Sequence, residues 1–158
     1  MNKNKFLKIG STFFIVLLLF LLGFLFRVPT IQVSYPDKNF YLKEDTFELG
    51  WIHSVEKEPW YETYTIKDQE LYLDTTRFKT FGAGTPSDGE IIPSNDGYIH
   101  MKINRKMEAI HLVVSDNVKT TLQTKNSTIP LYEELKNHEA IEIKIVKLPF
   151  WQLWGEKR

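Results

Sequence analysis

The chain has 158 residues, 42% of them apolar and 14% aromatic, which is enough for one modest domain with a core of its own. It contains no cysteine, which excludes disulfides, thiolate metal sites, a cysteine nucleophile and lipidation of an N-terminal cysteine. Formal net charge is zero with 20 basic and 20 acidic residues. Residues 1–29 hold Lys3, Lys5, Lys8 and Arg27 and no acid, so 20 less 4, or 16, basic residues face 20 acidic ones downstream. That mildly acidic remainder argues against a nucleic-acid partner.

In chain order the first element is Ile9–Phe26, a run of 18 residues without a charge, close to the roughly 20 that cross a bilayer as a helix. Three lysines precede it, and the positive-inside bias then places the N-terminus in the cytoplasm and everything from about residue 30 outside. The competing reading is a cleaved signal peptide. No small-x-small cleavage pattern follows Phe26, and the apolar core is longer than usual for such peptides. The expectation is therefore a single-pass cell-membrane protein: an anchor over 1–29, with its helix at about 9–26, and an extracellular or periplasmic domain over 30–158.

That domain reads as mainly β. Ile31–Tyr35 is a strand ended by Pro36 and Asp37. Between 46 and 78 the alternation of side chains predicts a three-stranded meander. Phe47, Leu49, Trp51, His53 and Val55 share one face. After a four-residue connection, Glu56–Pro59, the face resumes with Trp60, Glu62, Tyr64 and Ile66. This register pairs Val55 with Trp60, His53 with Glu62, Trp51 with Tyr64 and Leu49 with Ile66. The polar run Lys67–Glu70 leads into a third strand whose Leu71, Leu73, Thr75 and Arg77 meet Ile66, Tyr64, Glu62 and Trp60. His53, Glu62, Thr75 and, diagonally, Arg77 would then converge at one end of the meander.

The stretch Thr80–Gly97 is rich in Gly, Pro, Ser and Asp and reads as a long loop. Tyr98–Ile103, Ala109–Ser115, the weaker Thr120–Thr124 and Ile141–Lys147 read as further strands, and Pro130–Asn137 as a short helix with Pro near its start and Leu131 and Leu135 four apart. About eight strands with one short helix predict a small β-sandwich or open β-barrel behind the N-terminal transmembrane helix. There is no internal repeat and no low-complexity segment.

Gly50–Glu56 with its Trp-Ile-His-Ser-Val core, then Pro59, Glu62, Arg77-Phe78 and Phe81-Gly-Ala-Gly84, resembles in content and order the family of unknown function DUF1850. The resemblance covers most of the exported part, but no C-terminal motif adds to it. Members are commonly encoded beside TRAP-type transporters of the TAXI class, which import small carboxylates or similar solutes through a binding protein and a large permease. The resemblance implies that neighbourhood, not a mechanism; the first function reading built on it is a non-enzymatic accessory protein contacting such a permease or its solute-binding protein. The alternative is an independent cell-surface module that binds or senses a small ligand.

Three roles fit the polar cluster. Glu62 can accept hydrogen bonds from His53 and Arg77 as pure scaffold. Alternatively, His53 and Arg77 with the amides of Phe81, Gly82, Ala83 and Gly84 can hold an anionic or hydroxylated molecule while Glu62 orients the imidazole. In the third role, Glu62 and His53 act as a base toward Ser54 or water, but Ser54 falls on the opposite strand face, so no catalytic residue is expected. His53 and Glu56 are three apart, which on a strand puts them on opposite faces and argues against a metal; no cofactor is implied. The loop Gly82–Gly84 lacks the Lys and Ser/Thr of a phosphate-binding loop. His100, His111 and His138 lie on strand or helix candidates without nearby acidic pairs in sequence and read as surface or half-buried residues. Trp151 and Trp154, near the cationic C-terminus, suit a membrane interface, a partner surface or a last core strand.

Overall fold

A computed structural model of the chain describes residues 3–36, 38–149 and 152. It holds a helix α1 (Lys3–Leu25) and strands β1 (Arg27–Tyr35), β2 (Lys38–Leu42), β3 (Thr46–Ile52), β4 (Pro59–Lys67) and β5 (Glu70–Phe78). These are followed by β6 (Glu90–Ile92), β7 (Ile99–Met107), β8 (Ala109–Val113), β9 (Thr121–Gln123), β10 (Thr128–Pro130), a single helical turn α2 (Leu131–Glu134) and β11 (Ala140–Pro149). The chain divides into two units, Met1–Val28 with Lys147–Arg158, and Pro29–Val146.

In the first unit, the described side chains of α1 run over 12–21 and 23–25. Among the described residues no helix is long and apolar enough to cross a membrane. Trp151 and Trp154 lie outside the described residues.

The second unit is a two-sheet β-sandwich. One sheet has four strands in the order β2-β1-β11-β8, the other seven in the order β10-β9-β3-β4-β5-β7-β6. Each contributes one apolar face to a common core, where Phe47, Leu71 and Leu122 of the larger sheet join Ile31, Val33 and Ile143 of the smaller. Period-two alternation selects these faces, and burial of each such side chain contributes roughly 1.5–3 kcal/mol. A smaller apolar cluster, Trp60, Phe78 and Met101, continues the inner face of the seven-stranded sheet.

The predicted strands are present, and three more accompany them: β2, β6 and β10. All three are outermost in their sheets. β6 lies inside the expected long loop 80–97. The expected helix over 130–137 shrinks to the turn α2, because Leu135 is already extended with φ −119° and ψ 158°.

Two local features displace the predicted register. The β3–β4 hairpin closes at Ile52 opposite Pro59, so the connection is six residues, His53–Glu58, not four. Within it the Lys57 amide donates to the His53 carbonyl (3.0 Å), the His53 amide to the Glu58 carbonyl (2.8 Å), and Lys57 takes a left-handed φ of +59°. Trp51 therefore pairs with Trp60, Leu49 with Glu62 and Phe47 with Tyr64. Each partner moves by four residues, an even number, so the faces survive while the pairs change.

The second feature lies in the β4–β5 hairpin, which turns tightly at Asp68 and Gln69, both with positive φ. It pairs Ile66 with Leu71 and Tyr64 with Leu73 as expected. A β-bulge at Asp74 then shifts the register, so that Thr63 meets Thr75, Glu62 meets Thr76, Tyr61 meets Arg77 and Trp60 meets Phe78. Past the bulge Thr75 and Arg77 point to the outer face, not the inner one. Lys67 stabilises the irregularity by pairing with Asp74 and reaching Asn104 of β7 at 3.3 Å.

Candidate functional site

The four residues expected to converge are divided among three places. His53 sits in the hairpin loop, Glu62 on the inner face beside the core, and Thr75 and Arg77 on the outer face. The predicted His53–Glu62 pair and the His53–Glu62–Thr75–Arg77 cluster do not form.

At the loop end, His53 pairs through Nδ1 with Glu56, the residue three positions on. The strand rule that separated them does not apply, because residues 53–58 turn. The same Nδ1 accepts long hydrogen bonds from the backbone amides of Val55 (3.4 Å) and Glu56 (3.5 Å), which close the turn around the ring. Glu56 Oε1 also accepts a hydrogen bond from the Ala83 amide at 3.0 Å. The Ala83 N–H, more than His53, holds the Glu56 carboxyl below its usual range. A second tie joins the same two loops: the Thr80 hydroxyl donates to Glu58 Oε2 at 2.7 Å. A Cβ on Gly82 would lie 2.6 Å from Glu56 Cδ, so glycine there is a condition of the tie. Gly84, at φ +79°, and Thr85, whose hydroxyl bonds the Gly82 carbonyl at 2.9 Å, complete the turn.

A row of rings supports this double loop from below. The His53 imidazole stacks on Trp60 with centroids 5.4 Å apart, Trp60 stacks on Phe78 at 4.7 Å, and Phe78 meets Phe81 edge-on at 5.4 Å. Trp60 and Phe78 are buried. At the tips the pattern reverses, with Val55 67% and Phe81 58% exposed. Ser54 is exposed at the same turn.

Glu62 has other company. The Tyr64 hydroxyl donates to Oε2 of Glu62, and burial raises the carboxyl above its ordinary value despite that bond and the charge of Arg105. Burial also raises the phenol of Tyr64, with Glu62 adding to the effect.

On the outer face Arg77 Nη2 bonds Glu48 Oε1 at 2.8 Å, and the guanidinium lies 4.2 Å from the centre of the Tyr61 ring and 5.8 Å from that of Tyr98. Burial raises Glu48, and Arg77 opposes the rise. Tyr61 can lie flat because Gly50 is beneath it; a Cβ there would come within 2.8 Å of the ring.

Glu48, Glu58 and Thr80 are the partners that reading single strands missed. Only long-range register reveals Glu48 beside Arg77, whereas a six-residue loop at 53–58 would have exposed the Glu58 tie. His100 has an acidic neighbour after all: its Nε2 lies 2.9 Å from Asp96 Oδ2. The Ser94 hydroxyl, then His100, holds the Asp96 carboxyl down to about 2. Ser94 bonds the aspartate and not the imidazole, so the set lacks the order of a hydrolytic triad. Among the described residues no three His, Asp or Glu side chains gather as a metal site. A groove of about 400 Å³ between β1, β8 and β11 takes in His111 and Glu142 with mostly apolar walls.

Residues 47–131 match the family described as Domain of unknown function (DUF1850), which is 85 of 158 residues. The chain belongs to this family. The DUF1850 segment begins in β3 and ends just past β10, so it takes in all seven strands of the larger sheet except for the first residue of β3. It also carries both tied loops and the Arg77 cluster. No curated protein and no solved structure matches the chain.

Proposed function

We propose that this DUF1850 protein is a non-enzymatic, membrane-anchored accessory protein of a TAXI-type TRAP solute transporter, and that it contacts the permease or the solute-binding protein through its double loop. The observation that carries the contact is the combination of exposed Val55 and Phe81 with a base that holds them still. Two cross-loop hydrogen bonds and a row of stacked rings fix these apolar tips. Prior ordering lowers the entropic cost of binding, and apolar anchors on a rigid base are what partner surfaces select. The transporter itself comes from the gene neighbourhood that the family implies.

Anchoring rests on the uncharged run Ile9–Phe26 and on the side chains of α1, of which Phe13, Phe20 and Leu25 are 70–74% exposed. Such a surface suits lipid. The lysines before it keep the N-terminus cytoplasmic, and the β-sandwich is then extracellular or periplasmic. The test is co-purification of tagged full-length protein with the neighbouring permease and binding protein in mild detergent. Recovery of either partner with the wild type and its loss with Val55→Ser/Phe81→Ser, at an unchanged melting temperature, is the expected result. Absence of both partners, when all are expressed, overturns the proposal.

A further inference from the structure

The outer face of the seven-stranded sheet carries a second concavity that the double loop does not use. A groove of about 430 Å³ opens there, walled by Thr46, Glu48, Thr63, Arg77, Gln123 and Lys125, within the size range of small-molecule sites. Register builds it: Gln123, Glu48, Thr63 and Thr75 lie in one row across four strands, and Thr121, Gly50, Tyr61 and Arg77 in the next. The bulge at Asp74 brings Arg77 to this face.

Arg77 is pre-positioned. The Tyr61 ring supports its guanidinium plane and Glu48 holds one end, while Nε, which is buried, has no partner. What the side chain can offer a ligand is its outer edge: 35% of it is exposed, and of its terminal nitrogens Nη2 bonds Glu48. Arg77 and Lys125 against Glu48 leave the groove with one net positive charge. The hydroxyls of Thr46 and Thr63, the amide of Gln123 and the carboxylate of Glu48 are short-range partners for neutral hydroxyl groups. A cationic end beside a set of hydroxyl-recognising groups defines a ligand class.

We propose that this groove binds a small hydroxylated carboxylate, its carboxylate toward Arg77 and Lys125 and its hydroxyls toward Glu48, Thr63 and Gln123. The site does not depend on the docking role of the double loop, and either can fail without the other. The experiment is calorimetric titration of detergent-solubilised full-length protein with sodium gluconate, with glucose as the neutral counterpart and inorganic phosphate as competitor. Saturable gluconate binding, glucose weaker by about tenfold or more, and displacement by phosphate are expected, since one charge-assisted contact corresponds to roughly that factor. Arg77→Lys, which keeps the charge and loses the planar fork, lowers the affinity about tenfold. Lys125→Ala, on an exposed turn, lowers it by roughly threefold, and high salt erases that difference. Because Lys125→Ala leaves the sheet intact, it separates loss of the site from loss of the fold, with thermal melts as the control. No saturable gluconate binding, equal binding of glucose, or affinity indifferent to both variants overturns the proposal.

Discussion

Removing one oxygen from the core, Tyr64→Phe, tests whether Glu62 is scaffold. Tyr64 is 3% exposed and its ring stacks on Phe47 with centroids 5.2 Å apart; the substitution keeps that ring and deletes only the hydroxyl that donates to Glu62. A half-buried carboxylate left without its donor costs about 1–3 kcal/mol. For a domain of this size that is a fall in Tm of roughly 3–15 °C. The cost grows with pH, because it falls on the ionised acid. Glu62 titrates above its unfolded value in the folded protein. Its stabilising contribution is thus fully present below the unfolded value of about 4.3 and is lost as pH rises through the folded one. Urea denaturation followed by tryptophan fluorescence, at a pH near 4 and near 7, measures this directly. In the double variant Tyr64→Phe/Glu62→Leu neither polar partner remains, and most of the loss is recovered. Additive costs of the two single changes, or a Tyr64→Phe cost independent of pH, would refute the reasoning and release Glu62 from its structural role.

Gly82→Ala displaces the Glu56 carboxylate from both Ala83 and His53, because the new Cβ takes its place; in a Glu56→Ala background it adds no further loss of melting temperature, and a thermal-melt cycle checks this. Gly50→Ala, driven against the Tyr61 ring at 2.8 Å, tilts that ring and weakens gluconate binding about as much as Arg77→Lys, seen by titration, while Arg77→Lys itself leaves permease co-purification intact. Phe78→Ala, in a side chain 1% exposed, removes the ring between Trp60 and Phe81 and destabilises by about 3–5 kcal/mol in urea denaturation.

The meander, its inner face and the family were legible in the sequence because each rests on local alternation or on residues in fixed order. The contacts were not, and two residues account for this. Val55 continues the apolar alternation past Trp51 and invites a strand through residue 55, yet it is exposed at the tip of a six-residue loop. Asp74 looks like an ordinary outward residue of β5 and instead forms the bulge that reverses Thr75 and Arg77. Neither a loop two residues longer nor one extra residue in a strand disturbs hydropathy enough to be seen, although the first changes every cross-strand pair beyond it and the second reverses the side chains that follow. The strands overlooked, β2, β6 and β10, are sheet edges; bound on one side only, they need less apolar patterning and show less. The same two irregularities separate the chemistry. The longer loop lets His53 meet Glu56 and tie the Phe81–Gly84 segment into an apolar tip, and the bulge moves Arg77 to the opposite face beside Glu48. One apparent cluster thereby becomes two separate surfaces, the loop end for which we propose a protein partner and the sheet face for which we propose a small anion, and on that proposal a variant that abolishes one leaves the other working.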